Sequence, residues 1–291
     1  MTMQPPPCEA FQFLLTLRIL DGFDLARLER NGAEHLDIVY RAIRLAAGIR
    51  IAHNNPKPEK LAEILSEPFI ERLRARVRDG KPIDGPTEQW MPQAPDGEDP
   101  GHTTSFSIAD REGNLICVTQ SIGSPFGSGV VVPGTGVSLQ NRGCGFTLDT
   151  SHPNVVAGGK RPFHTIIPGF LTRKVNGIIV PQMSFGVMGG NMQPQGHLQT
   201  LVRMLVHRQQ PQAACDAPRW KVGTGLAVDF EATMAGELVA GLKALGHRFE
   251  PTPDAYMDYG SGQFIWRLTD DIEDGYVAAS DSRRDGQAAG Y

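Results

Sequence analysis

The chain has 291 residues, 40% of them hydrophobic, and carries a net charge of −4 with a pI near 6.1. That is apolar material enough for one large core or two smaller ones, and the thinly spread basic residues exclude nucleic acid and anionic membrane as expected partners. No apolar run approaches the ~20 residues of a membrane span, and the four cysteines, Cys8, Cys117, Cys144 and Cys215, are too scattered for a metal site or a disulfide framework.

In chain order, the first part is helical. Phe11, Leu14, Leu15 and Leu17 cluster in one segment, and Leu36, Val39, Tyr40, Ile43 and Ala47 recur at helical spacing in the next. Pro68 opens a further helix over residues 69–77, as a first-turn proline does, so three or four helices fit within residues 9–79. Residues 80–101 shift to Pro, Gly, Asp and Gln, with Pro82, Pro86, Pro92, Pro95 and Pro100. This is the composition of an irregular exposed connection, and such connections tolerate being cut. Residues 105–109 and 115–121 then alternate around a turn containing Gly113, which predicts a β-hairpin. Residues 127–136, with Val130-Val131-Val132 between glycines, read as another strand. Residues 166–173 and 178–185 are two more, joined by the polar turn Lys174-Val175-Asn176-Gly177. Helices return over residues 195–207, 211–217 and 232–245, the last closed by Gly246 as a C-terminal cap. Residues 263–269 and 276–280 are closing strands. Helices beside mostly antiparallel strands predict a layered α+β fold.

The candidate chemistry begins where the proline-rich connection ends. A threonine hydroxyl is a weak nucleophile unless a base sits beside it, and a threonine that leads a chain carries that base as its own α-amine. Cutting between His102 and Thr103 would supply such an amine, which titrates near ~7.7–8.0. Taken by itself, Thr103-Thr104-Ser105 is equally an ordinary strand start. Gly189-Gly190, after an apolar strand and before a helix, could present amides to an oxyanion, or could simply be a tight turn needing positive φ. Ser121, at the end of the hairpin's return strand, faces the neighbourhood of Thr103 and could orient its hydroxyl, or could bond locally to backbone. His164 precedes a strand and reads as structural or catalytic. Arg142 and Arg161 could grip a carboxylate bidentately, or could be exposed loop arginines. The glycine-rich run from Gly123 to Gly129 lacks the Lys-Ser/Thr ending and the following helix of a phosphate cradle.

Four motifs in this order resemble the gamma-glutamyltranspeptidase family of N-terminal nucleophile hydrolases. They are Thr103-Thr104-Ser105-Phe106-Ser107 with Asp110-Arg111-Glu112-Gly113-Asn114, then Gly127-Ser128-Gly129, then Lys160-Arg161-Pro162, then Met188-Gly189-Gly190. Pro5-Pro6-Pro7 and Asp216-Ala217-Pro218-Arg219 look like further landmarks, so the likeness spans nearly the whole chain. It implies a four-layer αββα fold, incomplete at the N-terminus, and a proenzyme that cuts itself into residues 1–102, the end of a large-subunit region, and residues 103–291, a small-subunit region. It implies Thr103 as nucleophile, Ser121 as its hydroxyl partner, Gly189 and Gly190 as the oxyanion hole, and Arg142, His164 and Thr165 at the substrate. The reaction would be acyl transfer from an amide, such as a gamma-glutamyl compound or glutathione, to water or an amino acceptor, with no cofactor and no metal.

Two departures bear on specificity. Where the family has an acid for the substrate α-amine, this chain has Gly143-Cys144-Gly145-Phe146, and His164 and Thr165 replace two serines that hold the α-carboxylate. Losing one charged partner in a buried contact costs ~2–5 kcal/mol, so the pattern resembles the acylase-like branch. The region that precedes Pro5-Pro6-Pro7 in the family is expected from a separate chain, and the competing expectation is a non-catalytic fragment or subunit. The expected location is cytoplasmic, or periplasmic if a leader lies on that other region.

Overall fold

A computed structural model describes residues 1–85, 103–231, 234, 236–250 and 259–290. The short strand β1 (Thr2–Met3) leads into a helical layer of α1 (Ala10–Leu20), α2 (Ala33–Ala52), α3 (Pro58–Ile64) and α4 (Glu67–Arg78). Pro58 and Pro68 both sit in the first turn of their helices, where the missing N–H has no intrahelical partner to lose. Helix α1 is apolar nearly all round, with Phe13, Leu15 and Ile19 fully buried, because it lies between α2 and α4 on one side and the sheet-backing helix α5 (Gln193–Leu205) on the other.

The hairpin of β2 (Thr103–Ala109) and β3 (Leu115–Ser121) forms as the alternation predicts, in register from Thr103 opposite Ser121 to Ala109 opposite Leu115. Its turn is tied by Asp110, whose carboxylate accepts from the amides of Glu112 (3.0 Å) and Asn114 (2.9 Å), with Gly113 at φ +90°. The next pair, β4 (Gly169–Val175) and β5 (Ile178–Met188), is joined by Asn176 and Gly177, both at positive φ. That is the two-residue turn whose twist suits a hairpin. Pro181, which cannot donate to a ladder, falls where the β4–β5 register shifts.

The chain continues through α6 (Pro211–Asp216), β6 (Trp220–Val222), β7 (Ala227–Phe230), α7 (Gly236–Ala244), β8 (Arg248–Phe249), β9 (Ser261–Arg267) and β10 (Tyr276–Ser280). The main sheet is antiparallel with order β1-β4-β5-β9-β10, and β6-β7-β8 is a small side sheet. Gly246, at φ +92°, closes α7 as predicted, with the His247 amide reaching back to Leu242 O at 3.1 Å.

Two expectations need correction. Residues 127–136 form a glycine-punctuated loop with one isolated bridge, Val131 to Ser138, because among the described residues only the short return through Val137 and Leu139 bonds to the valines. The strand expected from residue 166 begins at Gly169. The strands β1, β6, β7 and β8, two to four residues long, carry too little periodicity to be read from sequence. Residues 86–102, most of the proline-rich connection and His102, lie outside the described residues. Among the described residues no helix is long and apolar enough to cross a membrane.

Strand β5 is the divider between layers. Its Phe185 and Val187 face the helices: Phe185 meets the His197 ring edge-on at 5.4 Å, and a Cβ on Gly196 would stand 2.7 Å from Val187 Cγ1. Ser184 and Gly186 face the other way, onto the β2–β3 hairpin. The described layers are therefore helices, five-stranded sheet and hairpin, in the order α, β, β.

Candidate active site

The hairpin lies on β5 in a legible alignment. Ser184 Oγ donates to the Ile116 carbonyl at 2.9 Å and lies 3.0 Å from Ser107 Oγ. Two residues on, a Cβ on Gly186 would collide with Ser105 Oγ, so glycine is what lets the layers approach there. Continuing that alternation by two more residues on each strand would bring Thr103 towards Met188, immediately before Gly189-Gly190, since same-face residues recur every second position. Thr103 is buried at 6% exposure while Thr104 is exposed. The predicted nucleophile and the predicted oxyanion turn thus come to the same end of the β–β interface.

Ser121 faces Thr103 across the hairpin. Its Oγ accepts from the Gly123 amide at 3.1 Å and from Arg142 Nη2 at 2.6 Å. A hydroxyl has two acceptor lone pairs and one proton, so Ser121 is left with its proton to give. It can orient Thr103 or donate to a developing anion, but it is badly placed to take the Thr103 proton. Arg142 is itself 6% exposed, and its Nη1 reaches Thr165 Oγ1 at 3.4 Å. Gln193, at the start of α5, donates to the same Thr165 hydroxyl at 3.4 Å. Asn141 laces the two loops together: its Oδ1 accepts from the Ser124 amide at 3.0 Å, its Nδ2 donates to Ser124 Oγ at 2.8 Å, and its own amide donates to Ile122 O at 3.0 Å. Arg142, next in the chain after Asn141, opens the short helical turn Arg142–Gly145 and is fixed by that lacing.

The Gly189-Gly190 turn has its own support. Gly189 sits at φ +130° and Gly190 at φ +54°, conformations that side chains rarely adopt. The turn runs through Gly190–Met192 into the N-terminus of α5, where helix amides carry partial positive charge suited to an oxyanion. A Cβ on Gly189 would stand 2.7 Å from Gly260 Cα, and one on Gly260 would collide with the Met188 carbonyl. Gly260 is held from behind by Arg219, fully buried, which donates to Tyr259 O at 2.8 Å and to Gly260 O at 2.7 Å and pairs with the buried Asp281. The sequence assigns no chemistry to Arg219 and none to Gln193, Asn141 or Gly260. The signal for Arg219 was its place in the Asp216-Ala217-Pro218-Arg219 landmark.

His164 joins the cluster only at its margin. Its amide bonds Pro7 O at 3.2 Å, and burial, with Arg142 and Arg161 adding repulsion, pushes its pKa down to about 4, so the ring is neutral at pH 7. A neutral, half-buried ring whose Nδ1 has no hydrogen-bond partner among the described residues is not placed as the base for Thr103. Among the described residues no group of three or more His, Cys, Asp or Glu could hold a metal ion.

The family described as Gamma-glutamyltranspeptidase matches residues 1–291. The chain belongs to that family. Within the gamma-glutamyltranspeptidase family it is 30% identical, over 98% of its length and 52% of the relative's, to the oxamate amidohydrolase proenzyme of Klebsiella pneumoniae subsp. pneumoniae. It is 29% identical, over 98% of its length and 53% of the relative's, to the glutathione hydrolase-like YwrD proenzyme of Bacillus subtilis. Among solved structures it superposes on cephalosporin acylase from Bacillus halodurans with a TM-score of 0.83 at 33% identity, covering 99% of this chain and 50% of that one. The fold is that of these N-terminal nucleophile hydrolases, and the chain spans about half the length of the relatives it matches.

Proposed function

We propose that this chain carries the catalytic half of an autoprocessed amidohydrolase or acyltransferase with Thr103 as nucleophile. The observation that supports it most is the alignment of Thr103, at the buried head of β2, with the Gly189-Gly190 turn that leads into α5. In processing, Thr103 Oγ attacks the His102 carbonyl, the acyl group shifts from nitrogen to oxygen, and water cleaves the ester. Residues 1–102 and 103–291 are the products. The freed α-amine then takes the hydroxyl proton as Thr103 attacks a substrate amide. The amides of Gly189 and Gly190 receive the oxyanion, Ser121 steadies the nucleophile through its remaining proton, and the amine leaves with the proton from the α-amine. Water or an amino acceptor releases the acyl group from Thr103.

The substrate is a small or peptide amide, in keeping with relatives named for oxamate, glutathione and cephalosporin. His164 and Thr165 shape its far side. The half of the relatives' length that this chain does not span completes the cleft, whether on the same polypeptide or on another chain. The apolar groove lined by Leu14, Leu17, Phe23, Leu25, Val202 and Val206, about 670 Å³, is an inviting seat for it. Intact mass and a denaturing gel test the proposal: wild type should resolve into the two pieces and Thr103→Ala should stay whole. Persistence of the cut in Thr103→Ala would assign it to a contaminating protease.

The alternative, a subunit that keeps the scaffold without chemistry, draws on the half-length match. It predicts an intact wild-type chain even after addition of the complementary half.

A further inference from the structure

We propose that Arg142 seats a substrate carboxylate directly beside the scissile carbonyl, so that the site selects short amides whose carboxylate lies no more than two carbons from the bond to be cut. The inference rests on Thr103 as nucleophile and concerns the same cleft.

Reach limits what the cleft can hold. Thr103 and Ser121 are direct cross-strand partners on the buried face of the hairpin, and such pairs hold their Cβ atoms about 4.5–5.5 Å apart. Arg142 Nη2 stands 2.6 Å from Ser121 Oγ, which brings the guanidinium to within roughly 5–8 Å of the nucleophilic oxygen. A reacting carbonyl carbon must approach that oxygen to about 3–3.5 Å, and a carboxylate on a guanidinium takes a similar share of the distance. Little length remains between the two carbons of the substrate. When the carboxylate is bonded to the scissile carbonyl the span is about 1.5 Å, and with three intervening carbons, as in a γ-amide of glutamate, it grows to about 5 Å. The short molecule fits; the long one would have to fold back.

Three further observations agree. The guanidinium is not free to swing outward, because Nη1 reaches Thr165 while the Asn141 lacing fixes the loop that carries it. The charge facing His164 is positive, since Arg142 and Arg161 together disfavour a proton on its ring, while burial lowers the pKa of Arg142 itself against the opposing pull of Cys144 and Glu9. The turn beyond it is Gly143-Cys144-Gly145, with no acid to receive the α-amine of a glutamyl group.

The test uses straight-chain dicarboxylic acid monoamides of two, three, four and five carbons, with a γ-glutamyl anilide as the long reference. In each turnover water replaces the amine on the acyl carbon, so ammonia release reads the rate for the monoamides and aniline release reads it for the anilide. The two- and three-carbon members should exceed the five-carbon member at least tenfold in kcat/KM. Arg142→Gln should raise KM for the short members a hundredfold or more, more than it lowers kcat, and erase the length order; Arg142→Lys should restore part of it. A merely structural Arg142 would lower all members alike and leave the order intact, which would overturn the proposal, as would a five-carbon optimum. A second arm needs no turnover: the Thr103→Ala chain is titrated calorimetrically with oxalate, malonate, succinate and glutarate. Arg142-dependent binding that weakens with length supports the site even if no amide is cut, in which case the nucleophile assignment fails alone. Absence of such binding sinks the carboxylate site even if Thr103 cleaves amides.

Discussion

The two sheets that meet at β5 are unequally clothed. The five-stranded sheet has helices on one face and the hairpin on the other, and its Phe185, Val187 and Phe264 are essentially unexposed. The hairpin β2–β3 buries one face on that sheet and leaves the other open, with Phe106, Ile108 and Ile116 at 40%, 51% and 52% exposure. Beyond it the loops carry Phe126, Val130, Val137 and Leu148 outward as well. A contiguous apolar face of this kind marks a surface made to be covered. The hairpin is thus packed on the face that carries Thr103, Ser105 and Ser107 and left apolar and open on the opposite face, which carries Phe106, Ile108 and Ile116.

The comparison can be broken most directly at its inner face. Phe185→Ala should cost about 3–5 kcal/mol in chemical denaturation, since it empties a site lined by His197 and Phe264. Arg219→Met should cost less, about 1–3 kcal/mol, because it removes one of the two guanidinium partners of the buried Asp281, which keeps Arg283, and leaves the Tyr259 and Gly260 carbonyls without their donor, and it should also slow any scission at Thr103 by loosening Gly260 behind the Gly189-Gly190 turn. A loss of stability without any effect on scission would show that the Arg219 clamp and the turn are independent.

Acid should reach the covered side next. His35, His164, His197 and His247 are each held by burial to a pKa of about 4, against about 6.5 in an unfolded chain. Between those values the unfolded state binds more protons, so stability should fall as pH drops from about 6.5 towards 4 and stay level above about 7. A melting temperature that is flat across that window would contradict the neutral assignment. The smallest effect belongs to the open face: Ile108→Thr or Ile116→Thr should move the stability of this chain by only about 0.5 kcal/mol. The same changes should weaken association with the complementary half of the family architecture, measured by co-purification or ultracentrifugation.

Most long elements were legible in the sequence because their signals are local. Leu36, Val39, Tyr40 and Ile43 repeat at the helical period and are buried on α2. Asn176-Gly177 names its own turn, and Gly246 its own cap. Val130-Val131-Val132 misled for a physical reason: β-branched residues favour a strand only where a partner offers a ladder and a face to pack against, and the structure gives these valines one isolated bridge.

The candidate site divides along the same line. The sequence by itself determined the family, the threonine at the end of a cuttable connection and the glycine pair before a helix, because hydroxyl chemistry and positive φ are written in residue type. Only the tertiary structure decided that Ser121 Oγ accepts from Arg142 as well as from the Gly123 amide. It alone showed Arg219 holding Gly260, 41 residues further along the chain, against the Gly189-Gly190 turn. Those facts depend on which groups meet across 20 to 70 residues of sequence, and no local pattern records a distance.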